Sequence, residues 1–277
     1  MEFWKTFLSI LEAEMPEQSS YGWFHILSFV LMLAFAVFIC VRFANCSDKT
    51  LRKITLITFV TLVVLDVYKQ ITYDWVEFDA ALGEFVWDYS WYSFPFQLCS
   101  TPHYVLPFII WLKDGKVRDA FIGYMCFFSF VGGAAVFFYP ETCLTSFIGV
   151  NIQTMVHHGM QVVLGVFYAV NQRKKFNNAY FLRTLPVFVG FLGVAMVLNF
   201  AVQHAIWAGG GDDVFNMFYI SPYHTSLIPV LDEISSSMPY PVLFFTYFFG
   251  LIAIAYAVFS VMRAAIRYHE KKKLKSE

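Results

Sequence analysis

Cysteine and histidine residues occur near the ends of long apolar segments, where they could carry out nucleophilic chemistry. Cys99 lies four residues before His103, and His157 and His158 stand near the start of a later apolar segment. A thiol is a strong nucleophile, and a neighbouring imidazole lowers its pKa and accepts its proton. At one depth of a helical bundle, cysteine and histidine make a workable acyl-transfer pair.

Helical spacing distinguishes the two adjacent histidines. Gln153, His157 and Gln161 are four residues apart and share one face of a helix, whereas His158 lies about 100° around its axis. His157 is therefore the histidine that we expect to face a polar interior.

Further polar residues fall at the same predicted depth. A polar or ionisable side chain is costly inside a membrane helix, so each one is a hypothesis for a functional site. The supporting, oxyanion-stabilising or binding candidates are Gln97, His103, Gln153, His158, Gln161, Asn199 and Gln203. We interpret Asp66 and Lys69, at the end of a predicted helix, as a structural ion pair, the alternative being a proton relay.

Several structural roles compete with catalysis. A buried cysteine is usually inert packing, and polar residues near helix ends often hydrogen-bond neighbouring helices. Cys99 could also form a disulfide with Cys143, if their Cα atoms come within about 7 Å. A metal site made of Cys99, His103 and His157 lacks a recognised ligand spacing, so we predict no metal and no cofactor.

The composition places these residues in a membrane. The 277 residues are 58% hydrophobic and 14% charged, with a mean hydropathy of +0.59, whereas soluble domains carry roughly 25% charged residues. A membrane-spanning helix needs about 20 mostly apolar residues. Seven segments satisfy this: 23–43, 54–73, 92–112, 119–139, 152–171, 185–206 and 240–263. The predicted fold is an all-α bundle of seven transmembrane helices, and nucleic acid is excluded as a partner.

Basic residues orient the seven segments, because positively charged loops stay on the cytoplasmic side. Seventeen of the 19 Lys and Arg residues follow the first, third, fifth or seventh segment. The connections on the other side contain only Lys5 and Lys69 and hold most of the acidic residues. This segregation predicts a multi-pass protein of the cell membrane with its N-terminus outside and its C-terminus in the cytoplasm.

Three regions flank or interrupt the spans. Apolar residues recur at helical spacing in 1–20, which predicts an amphipathic helix lying on the outer membrane face. The membrane domain is expected over 21–265, with the aromatic-rich stretch 207–239 packing over the bundle mouth as a lid. Residues 266–277 are expected to form a basic cytoplasmic tail.

Two short motifs resemble those of the YwaF family of integral membrane proteins, whose animal relative is transmembrane protein 164. They are Phe-Pro-Phe-Gln-Leu-Cys, ending at Cys99, and Val-His-His-Gly, containing His157 and His158. The Pro-Phe-Gln-Leu-Cys sequence departs at one apolar position from the expected Pro-Leu-X-Leu-Cys. The resemblance extends over the order of all seven spans.

The resemblance implies an enzymatic function. The animal relative is described as a cysteine-dependent phospholipid acyltransferase, and the family is compared with androgen-induced intramembrane threonine hydrolases of lipid esters. It implies that Cys99 is the nucleophile and His157 its partner, with His158 in reserve.

We therefore expect a lipid acyltransferase or lipid-ester hydrolase acting on a membrane phospholipid or other acyl lipid in a cavity open to the outer leaflet. Gln97, Gln161 or Asn199 would donate hydrogen bonds to the oxyanion. The alternative is a non-enzymatic transporter or a seven-helix protein that binds a small ligand or lipid. The sequence indicates no particular protein partner.

Overall fold

The computed structural model is almost entirely helical. It describes residues 2–75, 77–79, 82–86, 89–141, 143–226, 228, 231–235 and 237–274. The α-helices are α1 Glu2–Leu11, α2 Trp23–Arg42, α3 Asp48–Lys69, α4 Pro102–Trp111, α5 Lys116–Tyr124, α6 Phe130–Phe138, α7 Ile148–Asn171, α8 Asn178–Leu182, α9 Leu185–Ala208, α10 Leu231–Ser235 and α11 Tyr240–Leu274. A small antiparallel hairpin pairs β1 (Glu77–Asp79) with β2 (Glu84–Val86).

Five helical stretches of the described chain are long and apolar enough to cross a membrane. They are Trp23–Arg42, Asp48–Thr72, Lys116–Phe138, Asn178–Ala208 and Tyr240–Lys272. Their outward faces expose large apolar side chains, such as Val37 at 63% and Val197 at 67%. Hydrocarbon, rather than water, is the solvent in which such faces are stable, because burying them from water is favourable. The prediction of an all-α membrane protein is confirmed at this level, whereas the count of seven spanning helices is not.

The predicted span 92–112 is not one continuous helix. It consists of 3₁₀ turns at Trp91–Ser93 and Leu98–Ser100, an irregular stretch between them, and α4, which has 10 residues. Proline lacks an amide hydrogen, and the residue before a proline is disfavoured in the α conformation. Pro95 interrupts the beginning of the segment, and Pro102 restarts the chain as the first residue of α4.

The helix α7 lies at the centre of the bundle, between α2, α3 and α6. It is 24 residues long but more polar than the five apolar stretches, and most of its side chains are buried. A helix surrounded by protein does not need an apolar outer face, because neighbouring helices satisfy its polar groups. This position explains how Gln153, His157 and Gln161 are accommodated within α7.

Residues Lys116–Phe138 form one helical rod with a π-helical turn at Met125–Ser129 between α5 and α6. Beyond the turn, Gly133 packs closely against α7. A Cβ atom at Gly133 would lie 2.6 Å from the backbone oxygen of His158 and 2.7 Å from the Cβ of Gln161. Glycine is required here because no larger side chain fits between the two helices.

Ion pairs cover the end of the bundle where α3 begins. Buried Arg118 contacts Asp48 at 2.6 Å, and Asp48 also pairs with Arg52 at 2.7 Å. Lys175 reaches Asp119 at 2.7 Å. Since Arg118 is only 1% exposed, its contacts tie the starts of α3 and α5 together.

The N-terminal segment is fastened to the opposite end, where α7 begins. The Met15 amide donates to the Ser146 carbonyl at 2.8 Å, and the Ile148 amide donates to the Ala13 carbonyl at 3.0 Å. The Tyr68 hydroxyl donates to the Leu11 carbonyl at 2.6 Å. Of the predicted amphipathic helix over 1–20, Glu2–Leu11 forms α1, residues 12–20 are not helical, and Met1 lies outside the described residues. At the other terminus α11 continues through 266–274, and 275–277 of the predicted basic tail lie outside the described residues.

Candidate functional site

Cys99 lies in the 3₁₀ turn Leu98–Ser100, immediately before α4, and is partly buried. The helix α6 approaches it at Gly132, where a Cβ atom would be 3.6 Å from both the Cα and the N of Cys99. The thiol thus sits on an irregular turn that two helices hold in place, rather than inside a regular helix.

His157 projects from the buried helix α7 onto the main chain of Cys99. Its Nε2 lies 2.8 Å from the Cys99 carbonyl oxygen. A carbonyl can only accept, so Nε2–H is the donor, and in the neutral ring Nδ1 carries a free lone pair. Nδ1 is buried and has no hydrogen-bond partner among the described residues. His157 is therefore hydrogen-bonded to the backbone of Cys99, and its unprotonated Nδ1 remains available to accept a proton.

His103, on the first turn of α4, has a matching arrangement. Its Nδ1 donates to the Ser100 carbonyl at 3.0 Å, and its buried Nε2 has no partner within the described part of the chain. The centroids of the His103 and His157 rings are 5.2 Å apart. The structure thus brings two of the predicted histidines together at Cys99.

His158 hydrogen-bonds its own helix rather than the turn that carries Cys99. Its Nδ1 donates to the Thr154 carbonyl at 2.7 Å, one turn earlier in α7. Its ring centroid is 5.3 Å from that of His157. The hydrogen bond of His158 therefore stays within α7, whereas that of His157 reaches the backbone of Cys99.

The other polar residues of the α7 face make contacts within the bundle. The Ser129 hydroxyl donates to Gln161 Oε1 at 3.1 Å, and Gln161 Nε2 makes a long 3.4 Å contact to the His157 carbonyl. Gln153 is buried and accepts a 3.4 Å contact from the Thr154 hydroxyl.

A segment that we call the strap, residues 213–219, packs against this end of the bundle. Phe215, Met217 and Phe218 are fully buried. Phe218 and Tyr219 adopt left-handed backbone conformations, with φ of 57° and 55°. Such conformations are costly for residues other than glycine, so the contacts of the strap must hold them in place.

Three carboxamide side chains hold the strap by its backbone. Gln97 donates to the Asn216 carbonyl at 2.9 Å and accepts from the Phe218 amide at 2.7 Å. Asn199 donates to the Met217 carbonyl at 3.0 Å and accepts from the amide of the same residue at 2.6 Å. Each side chain therefore pairs with one donor and one acceptor, as a neighbouring β-strand would.

Gln203 makes the third such pair. It donates to the Asp213 carbonyl and accepts from the Phe215 amide, both at 2.9 Å. His224 Nε2 also lies 2.7 Å from Gln203 Oε1. Burial lowers the pKa of His224 below its ordinary value of 6.5. Gln97, Asn199 and Gln203 thus all contact the strap, and Gln97 lies only two residues before Cys99.

Asp66 and Lys69 lie on the last turns of α3. Asp66 lines a cavity of about 500 Å³, and Gln70 and Trp91 form part of its walls. The ion pair between Asp66 and Lys69 stays a prediction.

Two alternatives from the sequence concern the cysteines. None of the five cysteines forms a disulfide, so Cys99 and Cys143 are not joined to each other. Within the described ranges, no group of three or more His, Cys, Asp or Glu side chains could hold a metal ion.

Sequence reasoning did not find Ser129, Gly132 or the backbone of the strap. The adjacent glycines Gly132 and Gly133, inside an otherwise apolar helix, were the available signal, because glycine in a helix often marks a close approach. No sequence signal showed that the carboxamides would bind the strap.

A model of the TMEM164 family matches residues 20–262. This match confirms the resemblance to the relatives of transmembrane protein 164. No curated protein and no solved structure matches the chain.

Proposed function

Because the chain belongs to the TMEM164 family of membrane proteins, we propose that it is a lipid acyltransferase or lipid-ester hydrolase in which Cys99 and His157 perform the chemistry. One observation carries the proposal. The His157 imidazole donates to the carbonyl of Cys99 itself, which leaves Nδ1 buried, unprotonated and without a partner in the described chain. This contact holds the imidazole beside the turn that carries Cys99, which supports a role for His157 as the base of that thiol.

The reaction has two halves. His157 Nδ1 accepts the proton of the Cys99 thiol, and the sulfur attacks the carbonyl carbon of an acyl ester. The C–S bond forms, the ester C–O bond breaks, and the imidazolium returns its proton to the departing lysolipid oxygen. The thioester then passes its acyl group to the hydroxyl of another lysolipid or to water, which restores the thiol.

Gln161 is the best placed of the three amides predicted to stabilise the oxyanion. Gln97 and Asn199 already donate to the backbone of the strap. Gln161 shares a helix face with His157, and within the described residues its NH₂ group makes only the long contact to the His157 carbonyl. An amide so placed could turn toward developing negative charge.

The experiment is a test for a thioester. Purified protein supplied with a phospholipid should acquire an acyl adduct at Cys99 that hydroxylamine removes near neutral pH. Cys99→Ala should abolish the adduct, and the matched variant Cys143→Ala should keep it. His157→Ala should slow its formation by roughly 10² to 10⁴, the contribution of general-base catalysis. If Cys99→Ala retains full function in cells, the site serves binding or transport and the proposal fails.

We also propose seven membrane crossings in the cell membrane, with the N-terminus outside and the C-terminus in the cytoplasm. The segregated basic residues support this orientation. The two crossings beyond the five apolar stretches would be the broken segment that ends in α4 and the buried helix α7. Reporter fusions at the two termini test the arrangement, since both termini on one side of the membrane would exclude an odd number of crossings.

A further inference from the structure

Two imidazoles hydrogen-bond consecutive carbonyls of the turn Leu98–Ser100, which we call the nucleophile turn. His157 reaches the carbonyl of Cys99 from α7, and His103 reaches the carbonyl of Ser100 from α4. Both rings donate one N–H to a carbonyl, so in both the other nitrogen is a bare acceptor. With ring centroids 5.2 Å apart, the turn therefore carries two bases rather than one.

Both bare nitrogens are buried and, across the described residues, neither receives a hydrogen bond. Leaving a buried acceptor unpaired costs free energy, which a hydrogen bond from a ligand would recover. An O–H group brought in by a ligand would satisfy such an acceptor. A two-step acyl transfer supplies two acidic protons in turn, first that of the thiol and then that of the acyl acceptor.

We propose that His103 is a second catalytic base, which takes the proton from the hydroxyl of the acyl acceptor in the second half of the reaction. This assignment rests on the proposed function. His157 is hydrogen-bonded to the carbonyl of Cys99 and takes the proton of the thiol. His103 is hydrogen-bonded to the carbonyl of Ser100, the next residue of the turn, and takes the proton of the incoming hydroxyl of a lysolipid or of water.

The step is balanced in protons and bonds. The acceptor oxygen attacks the thioester carbonyl as its proton moves to His103 Nε2. The new C–O bond forms, the C–S bond breaks, and the imidazolium of His103 returns the proton to the Cys99 thiolate. No oxidant, metal or further reactant is needed.

A chromogenic ester separates the two halves. With p-nitrophenyl octanoate and the full-length protein in detergent, acylation of Cys99 releases p-nitrophenolate as a burst, and the steady rate that follows reports loss of the acyl group to water. The phenolate is a good leaving group that needs no acid, so the burst depends on activation of the thiol alone.

His103→Asn is the informative variant, because its amide can still donate to the Ser100 carbonyl while the bare ring nitrogen is lost. The burst should keep its wild-type rate, and the steady rate should fall by roughly 10² to 10⁴. The matched control is His204→Asn, since exposed His204 also donates Nδ1 to a carbonyl, that of Phe200, on α9. Both phases should be unchanged in this control. Added imidazole should restore the steady rate of His103→Ala, which a structural role would not allow.

Three results would overturn the inference. A wild-type steady rate in His103→Asn would show that His157 serves both halves. An equal loss of burst and steady rate would make His103 a structural residue. Release of p-nitrophenolate at the same rate by the wild type and by Cys99→Ala would remove the proposed function, and the second base with it.

Discussion

Replacing Asn199 by leucine should release the strap while the bundle stays folded. Asn199 is fully buried, and its side chain pairs with both the N–H and the C=O of Met217, which is also fully buried. Leucine has nearly the same shape as asparagine, so the variant removes the two hydrogen bonds without leaving a large cavity.

The expected magnitude follows from the two groups of Met217 that lose their partner. A buried donor or acceptor left unsatisfied costs about 1–3 kcal/mol. Two such groups give about 2–6 kcal/mol, and since about 1.4 kcal/mol is a factor of ten, the open population of the strap should rise roughly 30-fold to 10⁴-fold. The left-handed conformations of Phe218 and Tyr219 favour the same direction, because opening relieves them.

Limited proteolysis with chymotrypsin measures this opening, because the strap contains Phe215 and Phe218 as cleavage sites. When opening and closing are faster than cleavage, the cleavage rate follows the open population. The control is Phe200→Leu, at the next position of α9, where the side chain is 58% exposed and faces outward. Equal cleavage rates in Asn199→Leu, Phe200→Leu and the wild type would refute the idea that the carboxamide holds the strap.

Three further predictions concern packing, redox state and pH. Gly133→Ala should lower the thermal midpoint by an amount corresponding to about 1–3 kcal/mol, because its Cβ would meet the α7 backbone at 2.6 Å. The control Gly132→Ala should be tolerated, since its Cβ would make ordinary contacts at 3.6 Å. Thiol counting under denaturing, non-reducing conditions should find all five cysteines reactive, and a count of three would reveal a disulfide. The pKa of His224 is lowered by burial, so just below pH 6.5 the folded protein binds fewer protons than the unfolded chain and its stability should fall as the pH drops. The thermal midpoint should therefore fall between about pH 7.5 and 5.5 more in the wild type than in His224→Asn, and equal falls would contradict this role.

The helices of this protein could be predicted from its sequence because long apolar runs leave few alternatives. The segment 92–112 is the exception, and its prolines were visible in the sequence. The sequence did not show that these prolines lead to a turn whose Cys99 and Ser100 carbonyls accept hydrogen bonds from two histidines. Backbone carbonyls carry no sequence signal, so neither the ring tautomers nor the pairing of His103 with His157 could be derived.

The carboxamides show a different limit. Gln97, Asn199 and Gln203 were recognised as buried polar residues of one region, because polar residues in apolar helices are few. Their partners lie in the strap, whose backbone offers donors and acceptors at every residue. Helical spacing orients a side chain about its own axis, but it does not determine which loop will fold back onto it.

Because of the π-helical turn at Met125–Ser129, the packing of the site depends on how many residues this helix contains, and not only on which residues they are. A π turn corresponds to one residue inserted into an α-helix, and one residue rotates the following chain by about 100°. Gly132 and Gly133 come three and four residues after this turn, and their facing toward Cys99 and α7 depends on it. A relative that lacked this one residue would restore a regular helix and turn the glycines aside, even with every other residue unchanged. Gaps within 125–129 in aligned relatives would therefore mark proteins in which the nucleophile turn is packed differently.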